Sequence, residues 1–268
     1  MSLLAAKLIV TPLVILVASL VSRRWGDTIG GWVVGLPVVS GPVSVYLMLE
    51  HGASFAAEAA VGSITGVTSQ ACFCLGYGLT AGLGWPVALA AGTIAYVVTA
   101  WASVRLEPSL AAASFLAALL LLAVRAMLPR TQGAHVAVRP PWWEIPARMG
   151  VVTVLVLLVT ALASAMGPRG SGVSASYPVV AIALTVFAHR ARGPLAGIAA
   201  LRGMASALFG FIGFFIAVAL MIAPHGAWAA YVAATSVALM VQAGALAALR
   251  RDARPPRGDA VTAAKAKG

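Results

Sequence analysis

Two ionisable side chains stand inside long apolar stretches of this sequence, Glu58 and Arg202. An ionisable group in hydrocarbon is costly, and by default it marks a proton, ion or substrate path. Glu58 is suited to carry a proton or a cation, and Arg202 to hold an anionic group. Snorkelling to the nearer interface is the competing reading for both. The backbone offers a second kind of chemistry. Residues 35–42 read Gly35-Leu-Pro-Val-Val-Ser-Gly-Pro42, and residues 172–178 read Gly172-Val-Ser-Ala-Ser-Tyr-Pro178. Proline removes a donor and clashes with the preceding turn, and glycine loosens the chain. Both stretches are therefore expected to kink or unwind a helix. Backbone groups freed at membrane depth are tolerated only where protein buries them or where they line a wet cavity. Ser40, Ser44, Ser174, Ser176 and Tyr177 bring hydroxyls to the same depth. The candidate substrate-binding set is Gly35, Pro37, Ser40, Pro42, Ser44, Gln70, Ser174, Ser176, Tyr177, Pro178 and Arg202, with Glu58 as the candidate for proton coupling. Kinks that serve only close helix packing are the alternative.

Gln70 belongs to the most polar of the apolar stretches, with Ser63, Thr65, Thr68 and Ser69. Gly62 and Gly66 in that stretch form a Gly-x-x-x-Gly pattern, which lets two helices approach closely. This surface fits either hydrogen bonding between helices or an interface with a partner, a second copy of the chain included. Cys72 and Cys74, the only cysteines, lie in an apolar run and read as packing residues. No Gly-x-Ser-x-Gly, His-Glu-x-x-His or phosphate-binding Gly-Lys-Ser/Thr motif occurs, and the seven acidic residues are scattered. The expectation is a protein that is not an enzyme and that takes no metal and no cofactor.

The elements that hold these residues are set by composition. Of the 268 residues, 61% are hydrophobic and 9% charged, and the mean hydropathy is +0.98. A soluble surface needs roughly a quarter of its residues charged, so most of this surface must face lipid. A span needs about 20 mostly apolar residues. Nine candidates run near 7–22, 30–49, 55–81, 85–104, 109–128, 148–166, 174–189, 195–223 and 227–249. The first reads as a retained helix rather than a secretory signal, because Arg23-Arg24 follow it without a convincing cleavage site.

The net charge of +11 raises nucleic acid as a partner, but the placement of the charges argues for topology instead. With nine spans, one face carries Arg23, Arg24, Arg125, Arg130, Arg139, Arg148, Arg190, Arg192 and the six cations of the C-terminal tail. The other carries only Lys7, Arg105 and Arg169. By the positive-inside rule the C-terminus is cytoplasmic and the N-terminus outside.

A shift of 141 positions lays Pro37 on Pro178, Val38 on Val179, Val39 on Val180, Gly52 on Gly193, Gly62 on Gly203 and Phe73 on Phe214. Spans one to four then match spans six to nine, and span five has no partner. An odd number of crossings between two copies turns them in opposite directions, as in many secondary transporters. The expected fold is an all-α polytopic membrane protein of nine transmembrane helices, in which a connector helix joins two inverted-topology four-helix repeats. The first repeat covers 1–104, the connector and a cytoplasmic loop 105–147, the second repeat 148–249, and a disordered basic cytoplasmic tail 250–268.

The four-helix unit resembles the GlpM family of small bacterial inner-membrane proteins. The shared features are Gly35-Leu-Pro37, the second proline Pro42, the short Glu50-His51-Gly52 loop and the long helix from Phe55. The second copy keeps Pro178 and has no match for Pro42. The resemblance implies a bacterial inner-membrane location and a duplicated unit, and it carries no catalytic or transport residues across.

Together these features predict a gradient-driven secondary transporter or exporter of a small solute, working by alternating access. Its partners would be the lipid bilayer and that solute, not nucleic acid. A non-transporting assembly or partner-binding subunit is the alternative.

Overall fold

The computed structural model describes residues 3–37, 40–130, 143–165 and 177–252. Among these residues the regular structure is entirely helical. The helices are α1 (Leu3–Trp25), α2 (Asp27–Val34), α3 (Ser40–His51), α4 (Ala53–Thr80), α5 (Trp85–Leu106), α6 (Leu110–Met127), α7 (Glu144–Ala165), α8 (Val179–Arg192), α9 (Pro194–His225) and α10 (Ala227–Asp252), with a 3-10 turn (Ala81–Leu83) extending α4. Among the described residues, five segments are long and apolar enough to cross a bilayer: Ala53–Leu83, Trp85–Leu106, Leu110–Met127, Pro194–His225 and Ala227–Leu249.

The helices fall where the apolar runs predict them. The span over 30–49, expected to kink or unwind at 35–42, is two helices, α2 and α3, with Gly35–Pro37 outside both. Several of the short connections are single glycines. The turn before α2 is Gly26, the turn between α3 and α4 is Gly52, and Gly84, Gly193 and Gly226 make the turns before α5, α9 and α10. Gly52 has φ 89° and ψ 175°, and Gly193 has φ 87° and ψ 176°. That region is open essentially to glycine alone, so one residue can reverse the chain where a longer polar loop would otherwise be needed.

Burial sorts the five apolar segments into layers. About 50% of the apolar stretch of α4 and 61% of that of α9 are buried, against 22% for α5, α6 and α10. α4 and α9 therefore form the centre. The outer helices present Ile94, Val98, Phe115, Leu122, Val232 and Met240 outward, an apolar surface that a soluble protein does not expose on this scale. The inner face of α4 is Ala56, Ala60, Ile64, Val67, Ala71 and Cys74, spaced three or four apart as one helical face requires. Its small residues let neighbouring backbones approach. A Cβ on Gly76 would stand 2.9 Å from the Ala91 carbonyl oxygen, and one on Gly92 3.0 Å from Phe73. On the other side, Gly210 and Gly213 of α9 take Gln242 and Val237 of α10.

Two successions of elements match. α3, of 12 residues, leads through Gly52 into the 31-residue segment Ala53–Leu83 and through Gly84 into the 22 residues of α5. α8, of 14 residues, leads through Gly193 into the 32 residues of α9 and through Gly226 into the 26 residues of α10.

Candidate functional site

The break between α2 and α3 follows from its residues. Gly35 ends α2, with its N–H donated to Gly31 O at 3.3 Å and the next N–H, of Leu36, turned back to Val33 O at 3.3 Å. Pro37 has no N–H to continue the ladder. The chain re-enters a helix at Ser40, and Gly41 N donates to Pro37 O at 2.9 Å. Pro42 lies in the first turn of α3, where a missing donor costs little. Gly35 also permits contact: a Cβ there would stand 2.6 Å from Ala207 Cβ and 2.7 Å from Met204 O, both on α9. The break is thus seated on the central helix.

Of the second predicted break only Tyr177 and Pro178 are described, and Ser174 and Ser176 lie outside the described residues. Pro178 precedes α8 and accepts from Ile182 N at 2.9 Å. Tyr177 turns its ring edge to Tyr96, with centroids 5.1 Å apart, and its hydroxyl lies 2.8 Å from Thr93 Oγ1 on α5. Ser44 of α3 is buried and lies 2.9 Å from the Tyr231 hydroxyl on α10. The hydroxyl pairs are therefore crossed. α3 reaches the last helix of the second succession, and the residue before α8 reaches the last helix of the first. A third link, Tyr77 of α4 to His189 Nδ1 of α8 at 3.0 Å, is buried as well.

The remaining predicted residues lie apart from these breaks or serve another element. Arg202 is buried on α9 and donates to the carbonyls of Arg125 and Leu128, the latter bond being short. These are the open carbonyls at the end of α6, so the guanidinium caps that helix, as cations favourably do. Gln70 is half-buried on α4, while Glu58 sits on an exposed face of the same helix, in its second turn. Cys74 is buried, and Cys72 lines an apolar groove of about 600 Å³ between α4 and α5, with Gly76, Ala95 and Thr99.

The ion pairs of the arginine-rich end are absent from the predicted set. Asp27, only 7% exposed, opens α2. It accepts a short hydrogen bond from Ser22 and one of 2.6 Å from Arg192. Arg148 of α7, 2% exposed, pairs closely with Glu144 one turn earlier, donates to Ser19 at 3.1 Å, and lies over the Phe187 ring at 5.4 Å. Arg23 approaches the other Glu144 oxygen at 3.7 Å. The Glu144/Arg148 spacing of four was visible in the sequence as a helical ion-pair signal. Reading the arginines only as topology markers hid it. Gln242 was also missed; it donates to Ala207 O at 2.8 Å from a buried position.

No family model, curated protein or solved structure matches the chain.

Proposed function

We propose that this chain is a secondary transporter or exporter of a small solute. In this reading nine helices cross a bacterial inner membrane, with the N-terminus outside and the C-terminus in the cytoplasm. The observation that carries the proposal is the pair of half-length helices. α3 and α8 have 12 and 14 residues, about 18 and 21 Å of helix against roughly 30 Å of hydrocarbon. Both begin at a proline-marked break, and both lead through a glycine turn into a long central helix. Two inverted four-helix repeats joined by α6 account for this match and for the likeness of the unit to the GlpM family. The two half-helix N-termini would then meet near the midplane and offer partial positive charge to an anionic group of the solute.

Substrate would bind at Gly35–Ser44 and Ser174–Pro178, with Gln70 beside them. Glu58 would exchange protons from its exposed position, and Arg202 would act by fixing α6. The test is a thermal-shift screen of the purified protein against a broad metabolite panel, followed by flux in proteoliposomes. A transporter should show solute-dependent stabilisation that Gln70→Ala weakens while the protein stays folded. Failure of every solute to shift the melting temperature would count against transport.

One observation favours a second reading, a partner-binding subunit. A Cβ on Gly62 would meet nothing within 4 Å, which leaves a small-residue face of α4 open to another helix, a second copy included. Cross-linking through Gly62→Cys in membranes separates the two readings.

A further inference from the structure

We propose that the buried ion-pair cluster of α1, α2, α7 and α8 is the cytoplasmic gate of the transport path, an inference that rests on the transporter reading above. Asp27 is the first residue of α2 and Arg192 the last of α8, and they meet at 2.6 Å. α2 runs from Asp27 to the break at Gly35, and α8 runs from the break at Pro178 to Arg192. The ion pair thus ties the start of α2 to the end of α8, the ends far from Gly35 and Pro178. In this proposal a solute leaving toward this face passes between them.

The charges also suit a closure that can open. Asp27 stands at a helix N-terminus and Arg192 at a helix C-terminus, so each is favoured by its own helix dipole as well as by its partner. Arg148 and Glu144 form the second pair, and Arg148 also feels the charges of Asp27 and Arg192. Desolvation offsets much of the attraction in a buried pair, so such pairs fix register more than they add stability. They exclude water while closed and separate into hydrated ions when open. At the opposite end Glu50 and His51, sequence neighbours that are each about half exposed, lie 3.7 Å apart and join no two helices. In this proposal the buried charge lock of the arginine-rich end holds the resting protein closed to the cytoplasm.

The test uses the full chain with Cys72→Ser and Cys74→Ala, and Leu36→Cys as reporter just inside the gate. Inside-out vesicles are treated with a membrane-impermeant maleimide. The parent is expected to label slowly. Asp27→Asn and Arg192→Gln are expected to label at least about tenfold faster, and Arg192→Lys to stay near the parent rate. If Arg192→Gln yields no folded protein, the isosteric Asp27→Asn gives the same information. Parent-like labelling of folded neutral variants would overturn the gate. Labelling needs no solute, so that failure is distinct from failure of the transport reading, which the flux assay reports.

Discussion

Gly31 of α2 lies so close to Ala200 of α9 that a Cβ on Gly31 would fall 1.8 Å from the Ala200 carbonyl oxygen. The contact is reciprocal, since a Cβ on Gly203 would fall 1.8 Å from the Thr28 carbonyl oxygen. The two helices touch backbone to backbone, and no rotamer change can make room. Gly62, which the 141-residue shift places on Gly203, faces open space. Gly31→Ala and Gly203→Ala are each expected to cost about 1–3 kcal/mol or more from overpacking. Gly62→Ala should cost nothing and gain up to about 1 kcal/mol of helix propensity. Thermal unfolding of the three variants in detergent checks the contrast.

The glycine turns make a separate prediction. Gly52 and Gly193 have open space around them yet hold φ of 89° and 87°. Alanine there is strained by the backbone alone, by about 1–3 kcal/mol. Gly82→Ala, also in open space and without a positive φ, should be neutral in the same assay.

Much of this architecture could be read from residue types. Apolar runs placed the helices because lipid demands them, and Gly35 with Pro37 announced the break because neither supports a continuous ladder. The abrupt turns were not legible, because one glycine in an unusual conformation leaves no longer trace than one in a helix. Nor was the use of Arg202: the carbonyls of Arg125 and Leu128 lie 77 and 74 positions away, and sequence spacing says nothing about such distant partners. Asp27 and Arg192 are 165 positions apart, so their pairing depends on the tertiary fold alone.

Arg202→Met keeps an unbranched, long side chain but removes the donors to the end of α6. Loss of charged hydrogen bonds should cost about 2–3 kcal/mol. The melting temperature should drop, and Arg202→Lys should recover part of it. If Arg202 instead contacts solute directly, affinity would fall while the melting temperature without solute stayed unchanged.

The crossed hydroxyl pairs are tested by double-mutant cycles. Ser44→Ala with Tyr231→Phe, and Thr93→Ala with Tyr177→Phe, should each show a coupling of about 0.5–1.5 kcal/mol. Cross-combinations, such as Ser44→Ala with Tyr177→Phe, should be additive. Additivity within both pairs would remove these links between the two halves.

The central claim, that the two four-helix units cross the membrane in opposite senses, is tested most directly by the sidedness of the two matched glycine turns. Single cysteines or reporter fusions at Gly52 and Gly193 should report opposite faces, Gly52 outside and Gly193 in the cytoplasm, with fusions after residues 134 and 268 also cytoplasmic. Finding both turns on the same face would contradict the inversion and the transport path built on it.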